Sequence, residues 1–247
     1  MLRRLLPFAI LLHATVALAQ GPPSGTSIVV GPGMLVREKA YVGAEPEIIP
    51  IPWIDARFGR WTIRGLGAEY ALGESRGVRF SAIANFRLGG VEPADLEPRL
   101  ELFDRDPTVE LGVGASLPLG SWQLGAEASA DVLGRHGGFD ASLRLGKMIR
   151  AGRMILVPAA GLRYWSADLA AYDYGLAPGE AGFASGYEPG GAVIPELSVA
   201  GGYMINPKWS VIGFGRVLRL DDGIVASPIV DSRTEAMVGI GLGYRLR

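Results

Sequence analysis

Nine ionisable side chains could meet in one interior: Arg79, Arg87, Glu110, Glu127, Asp131, Asp140, Arg144, Glu235 and Arg245. Each lies on the face opposite an apolar stripe in a run of alternating residues. Cations and carboxylates gathered this way can neutralise one another and plug a lumen, or they can line a narrow pore; the mixed signs favour the plug. Near them stands His136, in GRHGGFD. With Asp140 and nearby serines it is the closest approach to a serine–histidine lipase site. The sequence places no serine to receive it, and its glycine neighbours mark a turn between strands ending near Val132 and starting near Gly138. With no cysteine and one histidine beyond the first nineteen residues, only carboxylates remain as further zinc ligands. Asp221-Asp222-Gly223 lacks the spacing of a calcium loop and reads as a solvated turn. Gly31-Pro32-Gly33 and Gly239-x-Gly241-x-Gly243 are too short or too strand-like to cradle phosphate. No catalytic residue, cofactor or metal site is expected.

The elements that must position these charges are strands. In TEAMVGIGLGYRLR, residues 234–247, one face carries Ala236, Val238, Ile240, Leu242, Tyr244 and Leu246. The other carries Glu235, Met237, three glycines and Arg245. A period of two is the signature of a strand. Segments 78–88, 109–117, 122–132 and 139–146 alternate as cleanly. Segments 27–38, 47–58, 61–71, 153–165, 192–205 and 208–220 are noisier: Gly65-Leu66-Gly67 confuses one, and Arg216 breaks the apolar face of another. They are eight to fourteen residues long, which suits tilted membrane strands of ~9–11 residues better than sandwich strands of ~5–6. Short turns at 118–121, 149–152 and 206–208 alternate with long links at about 89–107, 166–191 and 221–232. The stretch 95–104 could form a short helix.

Composition agrees. Residues 1–19 have a basic start, an apolar run and an Ala17-Leu18-Ala19 end, and read as a secretory signal, with the barrel spanning 20–247. Removing them takes two of 24 basic residues and none of 25 acidic ones, leaving a formal net charge of −3. No global field selects nucleic acid. Glycine numbers 36, mean hydropathy is +0.24, and no later stretch has the ~18 consecutive apolar residues of a membrane helix. Trp53, Trp61, Trp122, Trp165, Trp209, Tyr70, Tyr164, Tyr203 and Tyr244 fall near strand ends, like an interfacial girdle.

The fold class expected is therefore all-β: an antiparallel transmembrane β-barrel of the bacterial outer membrane, with lipid around its apolar stripes. Eleven segments are countable, and such barrels have an even number. We expect twelve, with a further strand near 89–104; ten would follow if the first seventy residues are over-split. The glycine-rich face of 234–247 should line a narrow polar interior, tolerant of a hydroxyl at Gly241 but backed by an Ile240 face intolerant of charge.

Several islands resemble the MipA/OmpV family of MltA-interacting outer-membrane proteins. Residues 41–72 carry Tyr41, Gly43, the Pro50-x-Pro52 pair and Arg64-Gly65-Leu66-Gly67; LFDRDPTVELGVG (102–114) matches an acidic loop entering a strand. The last third holds Val157-Pro158, Tyr174-Gly175, Gly186-Tyr187, Pro195-Glu196-Leu197, Trp209-Ser210-Val211 and Ser227-Pro228-Ile229-Val230. The resemblance spans nearly the whole chain after residue 19. It implies an outer-membrane scaffold for a murein lytic transglycosylase and a murein synthase. Arg150, Arg153 and Lys208, in the short turns, are candidates for docking a periplasmic partner electrostatically. The alternative, resting on the polar interior, is a narrow channel for small solutes. In either case the partner outside the chain is outer-membrane lipid, with no enzyme activity expected.

Overall fold

The structure, a computed structural model, describes residues 25–89 and 105–246. The expected signal segment, and nearly all of the stretch where a strand or short helix was expected around 89–104, fall outside them. Thirteen ladder segments run β1 (Ser27–Glu38), β2 (Glu47–Phe58), β3 (Trp61–Arg64), β4 (Gly67–Ser75), β5 (Val78–Arg87), β6 (Thr108–Leu119), β7 (Trp122–Asp131), β8 (Phe139–Lys147), β9 (Ile149–Ala151), β10 (Met154–Trp165), β11 (Ala192–Met204), β12 (Trp209–Arg219) and β13 (Thr234–Arg245). Each pairs antiparallel with its neighbours, and β13 returns to pair with β1, from Val29 opposite Arg245 to Glu38 opposite Ala236. Closure leaves no free edge, as a bilayer requires.

β8 and β9 both pair with β10 and are interrupted only at Met148, so they form one wall strand and the barrel has twelve. The count is as expected; β5 pairs directly with β6, and the twelfth wall strand lies among the described residues. It comes from segment 61–71, where Gly65 adopts a positive φ of 54° and turns the chain back, pairing Arg64 with Gly67. The residues that confused the alternation are the hairpin.

Apart from the Gly65-Leu66 hairpin, short turns gather at one end, at 59–60, 76–77, 120–121, 152–153 and 205–208. One carries Arg76 at φ 51° and Gly77 at φ 80°, the positive pair of a tight primed turn. Long connections gather at the other, at 39–46, 88–107, 132–138, 166–191 and 220–233. In outer-membrane barrels short turns face the periplasm and long loops the exterior.

The apolar stripes point outward. Val113, Leu143, Leu162, Leu197, Val238 and Ile240 are all at least half exposed, an arrangement that water would penalise and lipid satisfies. Trp61, Trp122, Tyr203, Trp209 and Tyr244 cluster at the short-turn end of the outer surface, where Trp209 meets Tyr244 at 4.8 Å and Lys147 lies over Trp122. Trp53 and Trp165 leave the expected girdle: both are buried inside.

Trp53 explains the bare reverse of β13. With Leu35, Ile51 and Phe214 it forms a buried apolar cluster within the lumen. A Cβ on Gly241 would lie 2.6 Å from Trp53 Cε3, and one on Gly239 would overlap Phe214. These glycines make room for aromatic rings. The expectation of a polar wall tolerant of a hydroxyl at Gly241 is corrected here.

Candidate functional site: a capped lumen crossed by charges

A second apolar cluster closes the long-loop end. Helix α1 (Ala167–Tyr174) begins at Ser166, whose Oγ accepts hydrogen bonds from the Leu169 and Phe139 amides. Leu169, Ala170 and Tyr174 are fully buried against Tyr41, Trp165, Ile194, Leu220, Ile224 and Ile229. Helix α2 (Asp222–Val225) is capped by the Asp221 carboxylate, which accepts from the Gly223 amide. The cap is tied down by hydroxyls. Tyr41 donates to the Asp173 carbonyl at 2.7 Å, Ser227 to that of Tyr174 at 2.6 Å and Tyr187 to that of Gly223 at 2.6 Å. Tyr174 donates to Glu235 at 2.7 Å, joining cap to barrel wall. Burial first, and then the nearby Asp173 and Glu235 carboxylates, push the phenols of Tyr41 and Tyr174 well above their usual range.

Beneath the cap, ion pairs cross the lumen between β5, β6, β8, β10 and β11. Arg163 is the hub. Its Nη1 lies 2.6 Å from both Asp140 oxygens, while Nε and Nη2 reach Glu196 at 3.2 and 3.1 Å. Asp140 also accepts from Trp165 Nε1 at 2.7 Å and from Arg87 at 3.3 Å. Arg87 binds Glu110 at 2.5 Å and approaches Asp173 of α1 at 3.8 Å. Arg144 lies 3.6 Å from Glu127 and 3.7 Å from Glu196. Lys39 lies 3.5 Å from Glu235. Multiply bonded pairs of this sort satisfy buried charge that either partner alone could not carry.

His136 is in the turn between β7 and β8, yet its side chain is wholly buried. Its Nδ1 accepts from the Gly138 amide at 3.0 Å, and its Nε2 lies 3.3 Å from a Glu110 oxygen. The serine near this pair, Ser129, donates to the same carboxylate at 3.0 Å instead of facing the imidazole. That is a histidine anchored in the charged layer, without a nucleophile beside it. Among the described residues no cluster could hold a metal ion.

The nine residues singled out in the sequence separate into layers. Arg87, Glu110, Asp140, Arg144 and Glu127 form the charged layer, and Glu235 sits above it under the cap. Asp131 stands at the end of β7 and accepts from Thr108 and the amides of Leu133, His136 and Gly137, so it shapes the 132–138 loop. Arg79 is lower, 3.7 Å from Glu74. Arg245 is exposed at the short-turn rim. Arg163, Glu196, Arg216, Arg37, Lys39 and Asp173 complete the layer and were not anticipated. Period two, counted through Val193, Leu197 and Val199 on the outer face of β11, would have found Glu196.

Below the charged layer the lumen is lined mostly by small residues, including Ser81, Ser116 and Ser198, with Gln123 and Glu69 among them, around a cavity of about 50 Å³ that Glu127 and Arg144 border from above. A further space bordered by the turn residues Gly120 and Ser121 shares Gln123, Gly146 and Val157 with it. Arg150, Arg153 and Lys208 are exposed at that end. Arg153 donates to the Ile205 carbonyl at 3.0 Å and the Arg245 amide to that of Lys208 at 2.8 Å, which joins three turns and strand ends into one cationic patch.

Comparison with known proteins gives the family. The family model described as MltA-interacting protein MipA matches residues 30–246. The MltA-interacting protein of Escherichia coli is 26% identical over 221 residues, covering 87% of this chain and 89% of that protein. Outer membrane protein OmpV of Vibrio cholerae is 32% identical over 141 residues, covering 57% of this chain, and the chain spans only 55% of that relative's length. Among solved structures, the NanC porin aligns over 89% of this chain and all of that one, at 10% identity and a TM-score of 0.42. The protein is an outer-membrane β-barrel, and it belongs to the MipA family.

Proposed function

We propose that this chain is a non-catalytic, closed barrel that holds a periplasmic partner on its short-turn end. The observation that carries the reading is the double closure of the lumen by the folded cap and the charged layer beneath it. A barrel closed in this way offers a protein partner its surfaces. On the periplasmic side the patch of Arg150, Arg153, Lys208 and Arg245 fits an acidic face of a protein, with long-range attraction speeding encounter. The Escherichia coli relative is named for interaction with MltA. By that likeness the partner is a murein lytic transglycosylase; a murein synthase as a second member rests on the family resemblance alone. The experiment is capture of an MltA-type transglycosylase by the purified full-length barrel. Charge reversal at Arg150 and Lys208 should abolish capture, and rising salt should weaken it in the unaltered protein. Equal capture by the reversed variant would sink this assignment of the patch.

A narrow solute channel is the second reading, and the small-residue lower lumen favours it. For solutes to pass, the Arg163 pairs and the cap would have to open together.

A further inference from the structure

We propose that the chamber under the cap binds one small oxyanion, a carboxylate or a phosphate group, on the guanidinium of Arg216. Two adjoining cavities of about 70 and 60 Å³ lie there, and both are lined by Arg37, Lys39, Arg87, Trp165 and Arg216. Each has room for more than a single water.

The carboxylates of this layer have partners of their own, Glu196 through Oε2, with its Oε1 3.7 Å from Arg144. Glu110 binds Arg87, Asp140 binds Arg163 and Arg87, Glu196 binds Arg163, and Glu235 takes the Tyr174 hydroxyl and Lys39. Arg216 makes no hydrogen bond or ion pair among the described residues, although it projects from β12 into both cavities. The register explains why. Arg216 stands opposite Ser198 on β11 and Met237 on β13, neither an anion. The nearest inward carboxylates, Glu196 and Glu235, flank Leu218 two residues further on, and each is held by its other partners. A guanidinium offers five donors in a planar fork suited to two oxygens of one ligand. Lys39, whose one ion-pair contact is Glu235 at 3.5 Å, adds donors across the same space around a bound anion.

Access comes from the periplasm. Glu127 lines both this chamber and the lower cavity, which leads toward the short turns. The ligand is therefore a free small anion or an acidic terminus reaching up the lumen, and the site stands whether or not the outer patch holds a partner.

The test is calorimetric titration of the full chain, folded in neutral detergent, with inorganic phosphate and separately with acetate at constant ionic strength. We expect one saturable site for at least one anion; a preference for phosphate or for acetate identifies the head group. Arg216→Gln should weaken binding at least ~10-fold, the loss of charge-assisted bonds, with Arg216→Lys between. The unaltered protein's thermal midpoint should rise with the anion, and that rise should vanish in Arg216→Gln. Absence of saturable binding of either anion at tens of millimolar in the unaltered protein would overturn the proposal without any variant. So would Arg216→Gln that lowers the midpoint while binding the anion as before, because Arg216 would then be a partner of Glu196 or Glu235.

Discussion

Replacing Gly241 by alanine adds one methyl group to the inner wall of β13, where a Cβ would lie 2.6, 2.8 and 3.1 Å from Trp53 Cε3, Cδ2 and Cγ. Carbon atoms sit comfortably at ~3.5–4.0 Å, so the ring must retreat by about 1 Å. It has little room to do so: Trp53 packs on Phe214 with centroids 6.3 Å apart and is bounded by Leu35 and Ile51. Overpacking of this kind costs ~1–3 kcal/mol. Gly125 supplies the control. It faces the lumen on β7, and a Cβ there meets nothing within 4 Å, so Gly125→Ala should stay within ~0.5 kcal/mol of the parent. The assay is urea unfolding of the protein folded in lipid vesicles, followed by tryptophan fluorescence and by heat-modifiable migration. Destabilisation of Gly241→Ala by ~1–3 kcal/mol relative to Gly125→Ala supports an aromatic-filled lumen. Equal stability of the two would refute it.

The outer face of the same strand should be as intolerant for another reason. Ile240, 52% exposed toward lipid, should cost ~2–4 kcal/mol when changed to arginine if it lies at the midplane; unchanged stability in vesicles would remove that strand from the bilayer centre. Arg163→Met leaves Asp140 and Glu196 without their hub cation and should cost ~3–5 kcal/mol, read in the same urea titration. A loss below ~1 kcal/mol would mean water already screens the layer. Tyr41 and Tyr174, whose folded-state pKa values are raised, contribute cap stability that is present below pH ~10 and lost as pH climbs toward those higher values. Their tyrosinate absorbance should appear late and together with protease sensitivity of the 166–191 loop. A single titration step near pH 10 with the cap still resistant would contradict this.

The barrel was legible wherever one face meets lipid, because lipid imposes a strict period of two. The stripe of β13 and the clean alternation of β5 to β8 came directly from that constraint. β12 misled for a physical reason: its bulky face, with Ile212, Phe214 and Leu218, packs inward, and its glycines face out. Arg216 therefore interrupts an interior stripe. The β3–β4 hairpin was visible only as noise around Gly65, since β3, four residues long, holds too few to set a period and the turn inverts the faces after it. The cap was not legible at all. Leu169, Tyr174, Ile224 and Ile229 come from separate loops with no shared periodicity, and only the closed topology brings them together. The charges show the same split. Arg87, Glu110 and Asp140 lie opposite clean stripes, whereas Arg163 and Glu196 lie on noisier strands and emerged only with the register.

Planar-bilayer recording of the purified full-length protein tests the central claim most directly. A lumen closed by the cap and the Arg163 layer predicts no conductance steps from the unaltered protein, and their appearance on Arg163→Met combined with deletion of residues 167–190. Steady, open conductance in the unaltered protein would contradict the closed-barrel account and restore the channel as its function.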